Sequence, residues 1–371
     1  MANAVTKYNP GLQSIRGIAA LVVLLHHASY FYEMSPNTRL AVDTVLNAHA
    51  AIILFFVLSG FVLTKSFIRI GSTTGFYIKR AFRILPGLWL ATAICAAYIL
   101  LFKTGSIDNI PEWRSQMIGA PEWTPKTVLL SLFGFPYILK PAYTIVTELF
   151  GSLAIPLFFY ILTTQKAYGL ALILFLAVIS YWTYDAPNAL RYLFLVHFAL
   201  GIYAALLLQA NPIIKFPRWV TPICLLGLIF SRPVVMTIYT GAPQPLDYEY
   251  NFPTSSLLEG LFSAGFILSI VSGNRGSSIL RHSVSIWTGN ISYGIYLLHI
   301  PALFFSDRLV RSIGFEALQF EFLAVLVLTL AITLSAAHIM YHLVEKPFIA
   351  IGERLALRIR FLAPKIVAKP T

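Results

Sequence analysis

The chain has 371 residues, of which 58% are hydrophobic and only 11% charged, and its formal charge is +12. A soluble domain carries about twice that share of charged residues, so a single water-facing globule is excluded and lipid must solvate much of the chain. In a soluble protein the basic excess would point to nucleic acid, but here it gathers in particular loops, as membrane topology requires, and no nucleic-acid partner is expected.

A helix needs roughly 20 apolar residues to cross a hydrocarbon core of about 30 Å. By that measure ten spans are predicted: Leu12–Phe31, Ala48–Phe67, Ile84–Phe102, Tyr143–Leu162, Tyr168–Trp182, Leu190–Leu208, Trp219–Ile238, Thr254–Val271, Ile286–Phe305 and Phe320–Leu343. The fifth is short. Val128–Leu139 is apolar but carries Gly134 and Pro136, which marks it as re-entrant or interfacial, with an eleventh span as the alternative. Open sheet edges do not survive in lipid, and a barrel would show alternating strands of about ten residues. The expected class is therefore an all-α polytopic membrane protein, one integral domain over residues 1–371. The first span is read as a retained helix, not a cleaved signal peptide, because many spans follow it. Cys95 and Cys224 lie in apolar runs and form neither a disulfide framework nor a metal-ligand spacing.

With the N-terminus in the cytoplasm, ten spans return the C-terminus there. Eighteen of the 27 Lys and Arg then face the cytoplasm with only Glu345 and Glu353 beside them, and a basic tail runs from 349 to 371. The reverse orientation would violate the positive-inside bias. On this topology Asp108 is outside, and Asp185, Asp247 and Glu249 are solvated loop charges.

Ionisable groups within spans cost about 2.5–3.5 kcal/mol on insertion scales, so each is a functional candidate. Arg16 and His27 are eleven residues apart, which brings them within about 20° of one helix face and separates them by about 16 Å of rise. His26 points about 80° away. Arg16 is expected near the cytoplasmic boundary and His27 in the outer half. Lys79, Arg80 and Arg83 stand at the cytoplasmic entrance of the third span, where they would bind an anion or merely set topology. Glu148, near the outer end of the fourth span, is suited to orient an imidazole, accept a proton, hold a sugar hydroxyl or pair with an arginine. Glu259 and His197 stand alone in the sequence and are read as structurally paired. His299 lies near the outer end of the ninth span.

These residues resemble the acyltransferase-3 family of membrane acyltransferases. Ile15-Arg16-Gly17-Ile18-Ala19-Ala20 followed by His27 matches its arginine, ten residues, histidine signature, and Phe55-Phe56-Val57-Leu58-Ser59-Gly60-Phe61 matches its second-span motif. Tyr77 through Pro86 matches the basic motif with two arginines separated by two residues. Glu148 with Pro156 fits the fourth-span pattern, although Tyr143 stands where tryptophan is usual. Ser292 through His299 and His342 through Phe348 resemble the closing motifs. The resemblance covers about residues 8–350 and is to the form without a fused periplasmic esterase-like domain.

The resemblance implies a membrane O-acyltransferase of the cytoplasmic membrane, engaged in polysaccharide biosynthesis. Its donor would be acyl-CoA, acetyl-CoA above all, used as a substrate and not as a permanently bound cofactor; its acceptor would be a carbohydrate or lipid-linked glycan. Coenzyme phosphates would lie on Lys79, Arg80 and Arg83, with the pantetheine arm guided past Arg16. His27 would act as general base or, alternatively, carry the acyl group covalently. Glu148 would orient His27 or the acceptor, and Tyr293 and His299 would line the acceptor side. Ser59-Gly60 is read as a close helix-packing site. The rival reading is a transporter or flippase with an Arg/His/Glu substrate path, which leaves the cytoplasmic arginine pair unexplained.

Overall fold

The computed structural model describes residues 9–102, 117, 123–164, 166–184, 189–243, 252–272, 278–314 and 318–360. Asp108, Asp185, Asp247 and Glu249 lie outside the described residues. Among those described the chain is helical, with no strand. In chain order the helices are α1 (Pro10–Ser29), α2 (Pro36–Val45), α3 (Ala48–Ile70), α4 (Thr73–Phe102), α5 (Pro125–Ser131), α6 (Tyr143–Thr164), α7 (Lys166–Trp182) and α8 (Ala189–Ala210). They continue with α9 (Val220–Thr240), α10 (Pro253–Val271), α11 (Ser278–Arg281), α12 (Ser283–Asn290), α13 (Ser292–Ile313), α14 (Leu318–Met340) and α15 (Lys346–Arg360).

Among the described residues, seven helical stretches are long and apolar enough to cross a membrane: Pro10–Ser29, Pro36–Ile70, Thr73–Phe102, Lys140–Thr164, Val220–Thr240, Pro253–Val271 and Phe320–Ile359. Ala167–Trp182 and Phe194–Ala210 are shorter apolar helices. The protein is thus an all-helical, multi-pass membrane protein.

Helix α3 is the centre of the bundle, buried almost all the way round and packed on α1, α6, α8 and α10. A helix apolar on every face has no solvent side to present and belongs in the interior. Its closest neighbour is α8, and glycines permit the approach. A methyl group on Gly60 would stand 2.3 Å from the Phe198 carbonyl oxygen, and one on Gly201 would stand 2.0 Å from that of Val57. The packing expected of Ser59-Gly60 is therefore present, and it joins these two backbones.

Three boundaries differ from the sequence expectation, whereas Val128–Leu139 follows its re-entrant or interfacial reading and not the eleventh-span alternative. Helix α4 starts at Thr73, eleven residues before the predicted third span, so the basic motif at the entrance of that span lies on the same 30-residue helix. Val128–Leu139 contains no crossing helix, because α5 has seven residues and the chain then turns at Gly134 with φ 86°. The segment folds back on α4, where Trp89 Nε1 donates to the Leu132 carbonyl at 3.0 Å. The predicted ninth span breaks between α12 and α13, beside Gly289, where an added methyl group would stand 2.1 Å from the Gln13 carbonyl oxygen of α1. Finally, α14 continues through a π-helical turn at Tyr341–Glu345 into α15, whose Gly352 lies against Phe82 of α4. The first part of the expected tail is thus a packed helix; residues 361–371 lie outside the described ones.

Candidate active site

Five helices converge on one cavity of about 80 Å³. Arg16 comes from α1, Phe55 and Ser59 from α3, Arg80 and Arg83 from α4, Glu148 from α6, and Tyr293 and Tyr296 from α13. A larger cavity of about 670 Å³ opens on the other side of the same three arginines and adds Lys65, Arg69, Lys79 and Glu353. This vestibule lies where α1 begins and where α3 and α10 end, so it faces one end of the bundle. Its volume is that of an ordinary small-molecule site. Arg16, Arg80 and Arg83 form the partition between the vestibule and the inner cavity.

The partition is a charge lattice. Arg80 Nη2 donates to Glu148 Oε1 at 2.6 Å, and its Nε donates to Ser152 Oγ at 3.1 Å. Arg83 Nη1 donates to Glu345 Oε2 at 2.7 Å, while its guanidinium lies 5.8 Å from the centre of the Tyr293 ring. Lys79 Nζ pairs with Glu353 at 2.5 Å. The π-helical turn is what brings Glu345 onto Arg83: a widened turn rotates the following residues, and such turns recur at functional sites. The side chain of Glu345 is fully buried and its second oxygen has no hydrogen-bond partner. Arg16, Lys65 and Arg69 have no carboxylate partner among the described residues. These three are the surplus positive charge that an anionic ligand would meet, whereas Lys79, Arg80 and Arg83 are each already paired.

Glu148, expected near the outer end of its span, lies in the second turn of α6 and touches Arg80. The early start of α4 carries Arg80 two turns into its helix, and the folded-back segment ahead of α6 covers the start of that helix. The Glu148 carboxylate bonds Arg80 and not His27; of the roles the sequence left open, the structure shows the pairing with an arginine.

His27 lies about 16 Å along α1 from Arg16 and meets α13. Its Nδ1 is 2.8 Å from His299 Nε2, and His299 Nδ1 is 2.6 Å from the Tyr296 carbonyl oxygen. Tyr296, one turn before His299, lines the inner cavity, and its hydroxyl donates to the Pro141 carbonyl at 3.1 Å. Tyr293, Tyr296 and His299, successive neighbours three residues apart on α13, thus step round that helix from the arginines to the histidine pair. Tyr293 and His299, read together as acceptor contacts, are separated by this arrangement. Tyr293 stands with the arginines, donating to the Ile84 carbonyl at 2.7 Å, and His299 stands with His27.

His26 looks elsewhere, as its helical phase required. Its Nδ1 is 3.8 Å from Asp43 Oδ1, in a buried group with Arg39 of α2. Glu259 is structurally paired, as the sequence led one to expect. It pairs with Arg232 at 3.2 Å and His49 at 2.5 Å, all three fully buried, while His197 Nε2 donates to the Ser256 carbonyl. Sequence reasoning missed Glu345, His49 and Arg232 as partners. The signal for Arg232 was present, since an arginine within a predicted span requires a counter-charge.

The family profile described as "Acyltransferase domain" matches residues 9–338. "Protein 2 in picA locus" of Rhizobium radiobacter is 34% identical over 154 residues, covering 37% of this chain and 75% of that protein. Acyltransferase MdmB of Streptomyces mycarofaciens is 25% identical across 91% of both chains. YrhL of Bacillus subtilis (strain 168), provisionally named a peptidoglycan O-acetyltransferase, is 24% identical across 94% of this chain and 56% of its own length. The chain spans about half the length of two of the curated relatives it matches. No solved structure matches significantly. A match that runs from the first turn of α1 almost to the end of α14 takes in the arginine partition and the histidine pair together, and on it the chain belongs to the acyltransferase-3 family and is a membrane acyltransferase.

Proposed function

We propose that this enzyme transfers an acetyl group from acetyl-CoA to a hydroxyl of a carbohydrate or lipid-linked glycan, across ten spans of the cytoplasmic membrane with both termini inside. The observation that carries this reading is the line of the site: a basic vestibule at one end of the bundle, an arginine partition, and two hydrogen-bonded histidines about 16 Å further along α1. Coenzyme phosphates suit the vestibule, where Lys65 and Arg69 are available and Lys79, Arg80 and Arg83 can exchange a carboxylate for a phosphate. The eighteen basic residues on the same side of the chain favour that end as cytoplasmic.

The thioester carbonyl then lies beyond the arginines, toward His27. There an imidazole nitrogen takes the proton from the acceptor hydroxyl as its oxygen adds to the carbonyl carbon. The tetrahedral adduct collapses, the carbon–sulfur bond breaks, and the departing thiolate takes that proton from the imidazolium. Ester, free coenzyme A and neutral histidine remain. Arg16 is too far along α1 to stabilise the oxyanion, and its place is with the coenzyme.

The test is acyl transfer by the purified protein in lipid nanodiscs, supplied with acetyl-CoA labelled in the acetyl group, together with mass spectrometry of surface glycans from a strain lacking the protein and from its parent. The expected result is release of coenzyme A and an ester-linked acetyl mass found only in the parent. Absence of both would return the Arg/His/Glu line to a transport path.

A further inference from the structure

His299 was expected to touch the acceptor, yet both of its ring nitrogens are engaged within the protein. A backbone carbonyl only accepts hydrogen bonds. The 2.6 Å contact from His299 Nδ1 to the Tyr296 oxygen therefore places the proton on Nδ1. In a neutral imidazole the other nitrogen then carries a lone pair. That nitrogen, Nε2, faces His27 Nδ1 at 2.8 Å. The two ring planes are within 5° of parallel and their centres 5.0 Å apart, which is the hydrogen bond plus two ring radii. The rings are nearly coplanar and end to end, so the lone pair points along the bond. His27 Nδ1 must be the donor.

We infer that His299 is a positioning residue that selects the tautomer of His27: protonated on Nδ1, with the basic lone pair on Nε2. The inference deepens the general-base reading and rests on it. The chain runs in one direction, from His27 Nδ1–H to His299 Nε2, and from His299 Nδ1–H to the Tyr296 carbonyl. Helix α13 supplies both the second histidine and the carbonyl that anchors it, three residues apart, which is one turn. His299 is 1% exposed, so no water competes for its nitrogens. As the acceptor's proton arrives on Nε2, the imidazolium of His27 keeps its Nδ1–H donated to His299. The orienter stabilises the charged form without itself taking the proton, the part a carboxylate plays in a serine triad. A neutral imidazole avoids burying a fixed negative charge between apolar helices, where an unpaired ion is expensive.

The experiment compares His299→Gln and His299→Leu in full-length protein in nanodiscs. Glutamine can place a carbonyl oxygen where Nε2 stands and accept from His27; leucine fills similar space and accepts nothing. Acetyl transfer at saturating acetyl-CoA should fall about 10²–10⁴-fold in His299→Leu and stay within about tenfold of the parent in His299→Gln. Acetyl-CoA affinity should be the same in all three. In histidine-¹⁵N spectra, with the His27 resonances assigned by their loss in His27→Ala, Nδ1 should be protonated and Nε2 unprotonated in the parent and in His299→Gln. The preference should be lost in His299→Leu.

A parent spectrum with the proton on His27 Nε2 would overturn the inference. So would full activity in His299→Leu, or equal loss in His299→Gln when both variants remain folded. An active His27→Ala beside the expected tautomer would overturn the general-base reading instead and leave the tautomer assignment standing.

Discussion

Replacing Arg16 isolates the coenzyme's phosphate contacts better than replacing the arginine pair that the sequence makes prominent. Arg16→Met removes a guanidinium that has no carboxylate partner among the described residues, so no buried anion is orphaned. If it meets a phosphate, one charge-assisted hydrogen bond is lost, about 1.5–3 kcal/mol, or roughly ten- to a hundredfold in affinity. Arg80→Met is a confounded experiment. It leaves Glu148, whose side chain is 23% exposed, without its partner beside the incoming phosphates, and removing one member of a buried pair costs up to about 3–5 kcal/mol. Arg80→Met with Glu148→Gln removes both charges and leaves the lattice neutral at that point. Because Arg80 must release Glu148 to bind a phosphate, its net gain is smaller, and the double variant should weaken acetyl-CoA binding by less than about tenfold. The assay is equilibrium binding of acetyl-CoA to monodisperse protein. An Arg16→Met affinity within twofold of the parent would refute the partition as the phosphate site.

His27→Ala should abolish detectable transfer while leaving acetyl-CoA binding intact, and His26→Ala should keep most of the activity with lower stability; rates per folded protein from the two variants decide it, with general-base assistance worth about 10²–10⁴-fold. Arg232→Met should destabilise the protein by about 3–5 kcal/mol, seen as a lower midpoint in thermal unfolding, because Glu259 and His49 are fully buried around it. Adding Glu259→Gln should recover part of that loss. In a variant lacking Cys95 and Cys224, a cysteine at Lys215 should react with an impermeant maleimide only from the cytoplasmic side, and one at Thr38 only from outside. The opposite pattern would reverse the proposed orientation.

The sequence made the class legible because lipid leaves so few options: ten apolar stretches with no alternating strands can only be helices. It also separated His26 from His27, since helical phase is fixed by residue count and α1 runs unbroken past both. What it could not show was pairing between distant segments. Glu148 meets Arg80 across 68 positions and Glu345 meets Arg83 across 262. Nothing in local periodicity encodes such contacts. The length of α4 was hidden for a related reason. The third span was started where the apolar run starts, but helix α4 begins eleven residues earlier, packed against α15. The basic motif was therefore read as an anion site or a topology signal at the entrance of the span, and which arginine Glu148 would pair with stayed open.

The position of the arginines bears on how the proposed acyl-CoA donor would be kept from water. Arginines exposed to solvent would bind coenzyme phosphates but would leave the thioester in the aqueous phase, open to hydrolysis. On the proposed reading, Arg80 and Arg83 of α4, with Arg16 completing the row from α1, would let phosphates reside in the vestibule while the arm passes a constriction whose inner cavity is only about 80 Å³. Beyond it, Phe55, Phe56 and Tyr296 provide walls with little room for bulk water. A site closed in this way strengthens each polar interaction within it and suppresses side reactions. The paired carboxylates fit the same scheme. Three arginines facing one another without compensation would repel strongly in a low-dielectric wall, whereas Glu148 and Glu345 hold two of them apart and leave the third to meet the ligand. On this reading the carboxylates neither orient the base nor touch the acceptor. They make a row of arginines tolerable in the wall between the two cavities, and the proposed orientation of the base falls to a neutral histidine on the neighbouring helix.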